Sequence, residues 1–322
     1  MKLGLALPPG EHVVDYARIA RDAGYESLWL YDSAALYEDV WVHLALVAQT
    51  VPELEIGTGV MVPNLRHPMT TASAIATIER LAPGRLSVGV GTGFTARYVL
   101  GQPALTWAAT RRYIEQVQAL LRGETVHIDG AACAMIHGHD WGLPRPIEVP
   151  WVISAFGPKG QGITRELGAG LMGATPGDGS WDPYVRIVNG TVLEAGEELA
   201  SERVVDAMGP WQAVMPHAMW EAAPEAVDGL PGGAEWRAAV EAARPEGERH
   251  LAVHEGHVTH LTERDRLLLG DEPRWGGWCG QPAEVRDLFD AEAATGTAEL
   301  LYTPAGSDVA REIAEFGRAV KG

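Results

Sequence analysis

Residues 250–260 read HLAVHEGHVTH, a segment whose side chains could bind a divalent metal. Zinc sites of the H-E-x-x-H kind place two histidines at i and i+4 on one helical face. Here His254, His257 and His260 recur at intervals of three, the run is H-E-G-H, and the glycine disfavours a helix. That spacing favours structural or substrate-pocket histidines, so no metal-ligating set is expected. His137 and His139 fall in a Gly-rich turn and are expected to be exposed, whereas His67, just before Pro68, is placed to start a helix. Cys133 and Cys279 are the only cysteines; neither has a ligand partner at short spacing, and they read as two free thiols in a reducing compartment. Asp32-Ser33 follows the second apolar run. A serine hydroxyl has too high a pKa to serve as a general base near neutrality without an activating neighbour.

Backbone chemistry is the other candidate. Ser154-Ala155-Phe156-Gly157-Pro158-Lys159-Gly160 precedes an expected helix. The exposed N–H groups of a helix N-terminus make an anion site, and glycine lets a phosphate approach. Residues 56–68, IGTGVMVPNLRHP, begin like a core strand but hold Gly57 and Gly59 and end at Pro63. Glycine inside a strand marks a bulge or a close approach of ligand to backbone. The alternative is that these glycines merely taper the sheet. With Gly89, Gly91 and Gly93 at the same level on the next strand, a flat ligand is the favoured reading. A dinucleotide fingerprint, G-x-G-x-x-G, would need glycine where Phe94 stands, and no Walker A motif occurs.

These residues are positioned by an alternation of apolar runs and amphipathic stretches. Strands are expected at 3–7, 27–31, 54–60, 86–90, 151–153, 171–173, 203–208 and 299–303, with helices at 12–23, 39–49, after Pro68, after Gly160 and at 308–320. Continuously apolar strands separated by helices imply a parallel sheet covered on both faces. Eight strand candidates fit a (β/α)8 TIM barrel better than an open sheet. In that fold the functional groups sit at the C-terminal strand ends, where Asp32-Ser33, Gly59–Pro63, Gly91–Gly93 and 154–160 all fall. Residues 94–150 carry a helix and then TVHIDGAACAMIH, which reads as a hairpin turning at Asp129-Gly130. That region and the Pro-, Gly- and Trp-rich 211–280 read as insertions on a single domain spanning 1–322.

Composition narrows the partners. Lys and Arg number 25 against 43 Asp and Glu, a net charge of −18, which repels nucleic acid and anionic lipid. No run of 18 apolar residues occurs, and MKLGLALPPG is too short in its apolar part for a signal peptide. A cytoplasmic protein acting on a small molecule is expected.

GTGVMVPNLRHP followed by a helix and LAPGRLSVGVGTG (81–93) resembles the bacterial luciferase-like monooxygenase superfamily. WVISAFGPKGQGITRELGAGLM (151–172), ALLRGETVHIDG (119–130) and AELLYTPAGSD (298–308) resemble its branch that uses the deazaflavin coenzyme F420. The resemblance implies a bulge in the third strand with a non-proline cis peptide at Gly59–Val60, pressing on the central ring of the cofactor. It implies cofactor contacts at Asp32, Gly59, Val60, Met61, Val62, Gly91, Thr92 and Gly93. It also implies a phosphate site at Ala155, Phe156, Gly157, Pro158, Lys159 and Gly160, and a homodimer. The chemistry it implies is hydride transfer at the deazaflavin C5.

The chain departs from that branch where acid–base groups stand. Members often have Asp-His after strand two and a glutamate after the strand-four glycines; here Asp32 and Ser33 occupy the first position and Phe94 the second. The expectation is therefore reduction of an unsaturated C=C or C=N compound, with Asp32 and Ser33 as the candidate catalytic pair and solvent or an unplaced residue as the proton source. Tyr37, Trp41, Phe94 and Thr175 are candidate walls of the substrate pocket, while Trp29, inside a strand, reads as core packing. Two alternatives remain: an FMN-dependent monooxygenase on the same fold, and a degenerate flavin-binding barrel without turnover.

Overall fold

The computed structural model describes residues 1–138, 140–270 and 275–322. The chain opens with β1 (Lys2–Leu7), α1 (Val13–Asp22), β2 (Ser27–Leu30), α2 (Val40–Thr50), β3 (Glu55–Met61), α3 (Pro68–Leu81) and β4 (Leu86–Val90). Local chemistry fixes the ends. Gly24 takes φ +86° just past α1, and the Asp39 carboxylate accepts the Trp41 and Val42 amides at the start of α2. His67 caps α3 through its ring nitrogen, with Pro68 in the first turn, as its position before proline predicts.

Next come α4 (Phe94–Tyr98), α5 (Trp107–Arg122) and the antiparallel hairpin β5 (Val126–Ile128) and β6 (Ala131–Cys133). The hairpin turns at Asp129 and Gly130 with φ of 50° and 83°, the left-handed pair a two-residue turn requires. His137 beyond it is half-buried rather than exposed, and His139 lies outside the described residues. The barrel resumes with β7 (Trp151–Ser154), α6 (Pro158–Glu166), β8 (Gly170–Gly173) and β9 (Tyr184–Val188).

β10 (Gly190–Val192) leads into α7 (Glu202–Gln212), α8 (Val214–Ala222), α9 (Gly233–Ala243), α10 (Arg249–Val253) and α11 (Glu263–Arg266). β11 (Trp278–Gly280), which pairs with β10, α12 (Pro282–Ala293), β12 (Glu299–Tyr302) and α13 (Val309–Lys321) complete the chain.

Eight strands close into an all-parallel barrel in the order β1-β12-β9-β8-β7-β4-β3-β2. Outward side chains such as Leu28, Leu30, Ile56 and Val88 pack against the helices in the main core. The excursion between β10 and β11 builds a small core of its own from Trp220, Val227, Trp236, Val240, Ala252, Val253 and Leu268.

One strand assignment changes. Residues 203–208 lie in helix α7, not in a strand: Ser201 caps the helix by accepting the Val204 amide, and Val204, Val205, Ala207 and Met208 turn inward at helical spacing. The seventh barrel strand is instead β9, YVRIV, with Arg186 in its middle. That arginine is accommodated by an ion pair with the buried Glu292 of α12.

Candidate functional site

The barrel interior is built around one large ring, with glycines on the strands beside it. Trp29 of β2 points inward, 3% exposed, and its indole N–H donates to Glu299 Oε1 at 3.0 Å and Ser27 Oγ at 3.2 Å. A Cβ on Gly57 would lie 2.6 Å from the indole, and one on Gly59 3.1 Å from the Trp29 Cβ. One on Gly89 would lie 2.1 Å from the Thr58 carbonyl oxygen and 3.1 Å from the indole. Gly57 therefore makes room for the protein's own indole and Gly89 for the neighbouring Thr58 carbonyl and that indole's edge, which corrects the inference that they mark a flat ligand. Trp29 is core, as its place within a strand implies.

Above this layer Tyr31, Val60 and Ile187 are only partly buried and pack on the Trp29, Val152, Met172 and Leu301 cluster. They form an apolar floor at the C-terminal mouth of the barrel. Val60 belongs to the bulge: the β3–β4 register slips between Thr58 and Met61, and the Gly59–Val60 peptide is cis. A Cβ on Gly91 would meet Val60 Cγ2 at 2.7 Å, and one on Gly93 would meet Val62 Cγ1 at 2.3 Å. Gly93 also has φ +79° at the start of α4, a conformation that favours glycine. Thr92 between them is half-buried, and its carbonyl accepts the Leu105 amide at 2.9 Å. Met61 and Val62 are buried behind the bulge.

A buried ion pair holds the bulge in place. Asp32 accepts the Val62 amide at 3.1 Å, and Arg66 Nη1 donates to both its oxygens at 2.9 and 2.8 Å. Arg66 Nη2 reaches Asp39 at 2.8 Å, and the Arg66 carbonyl accepts the Tyr113 hydroxyl at 2.9 Å. Burial pushes the Asp32 carboxyl above its ordinary range, with the guanidinium and the amide opposing that rise. Both Asp32 oxygens are thus committed to positioning β3, a role different from acid–base catalysis. Ser33, 8% exposed, has its carbonyl accepting the Leu36 and Tyr37 amides.

The mouth continues over β7. Ala155 is buried, Phe156 is 71% exposed, and Gly157 opens α6 with no side chain capping it and Pro158 in its first turn. Open space surrounds Gly157, and Lys159 is exposed. Gly160 is glycine for packing: a Cβ there would lie 2.3 Å from Trp107. Thr175 is exposed, its carbonyl accepting the Tyr184 hydroxyl at 2.8 Å.

A cavity of about 540 Å³ lies beside this shelf, over the ends of β1, β2 and β12. That size suits a small organic ligand. Leu7, Tyr37, Val258 and Ala305 line it, with Glu11 and His12 at its entrance. The shelf residues do not line it; the link is the ring of Tyr37, 6.1 Å from that of Tyr31. Of the expected substrate walls, Tyr37 faces the cavity and Phe94 is 43% exposed at the start of α4. Trp41, 7% exposed, packs in the main core and does not line this cavity. Glu11 and His12 were not foreseen, because nothing in MKLGLALPPGEH marks them.

A closed parallel barrel whose C-terminal strand ends surround a shelf and a cavity is a (β/α)8 barrel with its candidate site in that fold's usual place. The chain belongs to the luciferase-like monooxygenase family, whose profile matches residues 3–299. It is 29% identical over 179 residues to the 5,10-methylenetetrahydromethanopterin reductase of Archaeoglobus fulgidus, covering 53% of this chain and 52% of that one. It is 32% identical over 177 residues to the F420-dependent glucose-6-phosphate dehydrogenase of Beutenbergia cavernae, covering 51% and 52%. The chain thus spans about half the length of the curated relatives it matches. The solved structure of the coenzyme F420-dependent tetrahydromethanopterin reductase from Methanopyrus kandleri superposes with a TM-score of 0.64 at 18% identity, over 99% of this chain and 98% of that one, a likeness of fold.

The shelf fits a planar redox cofactor. Its floor is apolar and partly open, Gly91 and Gly93 keep the rim low, and the uncapped start of α6 offers amide donors beside open space at Gly157. Trp29 fills the layer beneath that floor.

Proposed function

We propose that the protein is a coenzyme F420-dependent oxidoreductase that reduces a small C=C or C=N compound. The observation that carries this reading is the partly open floor of Tyr31, Val60 and Ile187 at the β3 bulge, flanked by Ser33 and Phe94, neither of which is an acid or base near neutrality. The relatives named for F420 chemistry support the cofactor, and the reductase among them fits the direction. When bound, the cofactor supplies a hydride. The chain's residues do the rest: Val60 and Tyr31 support the ring from beneath, Asp32 and Arg66 fix the height of that support, and the α6 N-terminus with Lys159 holds phosphate. Tyr37 and the adjoining cavity take the substrate and exclude bulk water. The one proton that completes the reduction comes from solvent, since the Ser33 hydroxyl is no acid or base near neutrality.

Titrating purified protein with F420 and with FMN tests this. F420 binding with turnover of unsaturated substrates is expected, and Ser33→Ala should keep the rate within about threefold of the parent. FMN binding with oxygen consumption would establish the monooxygenase reading instead, and F420 binding without turnover across a broad substrate panel would establish a degenerate barrel.

The proposed assembly is a homodimer in the cytoplasm. Helix α2, VWVHLALVAQT, is apolar nearly all round, and it leaves Val42 58% and Leu46 45% exposed one turn apart. A helix apolar on every side is expected to be covered, and a second copy meeting α2 would cover it. Light scattering should give twice the 34.5 kDa chain mass, and Val42→Glu with Leu46→Glu should return it to one. No helix of the described residues is long and apolar enough to cross a membrane.

A further inference from the structure

The excursion after β10 contains three buried histidines that the redox reading leaves without a task. His217 lies on α8, His254 ends α10 and His257 follows in the next turn; they are 1%, 0% and 6% exposed. One ring nitrogen from each lies within 4.8 Å of the others. Their Nε2 atoms are all occupied from outside the cluster: His217 by Asp265 at 3.2 Å, His254 by Glu221 at 2.9 Å and His257 by the Thr95 hydroxyl at 3.1 Å. That leaves Nδ1 as the free nitrogen of each ring. The Nδ1 atoms of His217 and His257 are 2.9 Å apart, so one must carry a proton toward the other. Nδ1 of His254 is fully buried and has no partner.

We propose that His217, His254 and His257 bind one divalent transition-metal ion of the zinc class through their three Nδ1 atoms. An all-imidazole set suits zinc, copper, iron or nickel and disfavours magnesium and calcium. Metal-binding imidazoles commonly have their other nitrogen held by a carboxylate or another acceptor, which sets the tautomer. Asp265 and Glu221 stand in that position here, with the Thr95 hydroxyl on the third ring. Metal–nitrogen bonds of about 2.0–2.1 Å in a tetrahedral site separate ligand nitrogens by about 3.3 Å, so small ring rotations would complete the set. Metal would also give the orphaned His254 nitrogen a partner.

The sequence pointed elsewhere. It grouped His254 and His257 with His260, which is exposed, and implied no metal. The third member comes instead from His217, 40 residues from His257. The site also touches the barrel: Thr95 belongs to α4, and the His257 carbonyl accepts the Tyr37 hydroxyl at 2.7 Å. An ion there would pin the excursion to the wall of the substrate cavity.

The test uses tag-free protein and needs no redox cofactor. Elemental analysis is expected to give about one equivalent of zinc per chain after chelator treatment and zinc repletion. Cobalt(II) should give the visible bands of a low-coordinate nitrogen site, and zinc but not magnesium should raise Tm. Glu221→Gln should weaken zinc binding by about 10–100-fold, and His254→Ala by more. Should His254→Ala fail to fold, the cobalt spectrum and thermal shift of the parent protein still decide. Less than a tenth of an equivalent of zinc, or equal affinity in the parent and Glu221→Gln, would overturn the site.

Discussion

Arg66→Met is expected to lower folding stability by about 3 kcal/mol, the lower end of the range for removing one partner of a buried ion pair. The Asp32 side chain is 1% exposed and that of Arg66 14%, so the remaining carboxylate would be stranded without its bidentate donor. It would keep the Val62 amide alone. Replacing both partners, as Asp32→Leu with Arg66→Met, should cost less than Arg66→Met by itself, because no buried charge is left. Urea denaturation of the parent and the two variants measures this; equal losses in the single and double variants would show that the pair matters only as packing. The deficit should depend on pH with a defined sign. Burial already raises the Asp32 carboxyl above its ordinary range, and removing the guanidinium raises it further. The native state then holds the proton more tightly than the unfolded chain, so stability falls as pH rises through the window between the two pKa values. The difference between Arg66→Met and the parent should therefore shrink toward pH 4 and be widest at neutral pH.

The same pair shows where sequence is legible and where it is not. Asp32 could be placed at a strand end because the preceding run, SLWLY, is uninterrupted and apolar. That its oxygens serve the β3 bulge depends on Arg66, a residue 34 positions away whose partner no local pattern announces. β1 to β4 and their helices were legible for the same reason: each apolar run is short, and each helix is bounded by a cap or a glycine. β9 was not, because Arg186 interrupts the run and only Glu292, far along the chain, makes that arginine tolerable. Residues 203–208 misled through two adjacent valines, although Ser201 three residues before Val204 is a capping signal. The histidine cluster failed in the same way. Spacing could join His254 to His257 but could not bring in His217, because tertiary packing of α8 makes that contact. The Gly59–Val60 bulge, in contrast, was reached by resemblance to the family. No propensity argument specifies it.

Gly57→Ala is expected to destabilise the barrel by about 1–3 kcal/mol, the usual cost of overpacking a filled core. The added methyl would lie 2.6, 2.7 and 3.0 Å from three carbons of the Trp29 ring system. The indole cannot simply turn aside, because its N–H is held by Glu299 and Ser27. Trp29→Leu should itself cost about 3 kcal/mol through lost burial and the cavity left behind. Combined with Gly57→Ala, however, the loss should be smaller than the sum by about 1–2 kcal/mol, since the methyl then enters vacated space. Gly162→Ala is the control. It lies within α6 with nothing inside 4 Å of the added carbon, and it should be neutral or stabilising. A strictly additive cycle would mean that Gly57 is not glycine on account of the indole. A favourable coupling would connect the weak strand to the mouth: Trp29 and Val60 belong to one packed cluster, so the ring that forces glycine into β3 also carries the floor on which a planar ligand would rest.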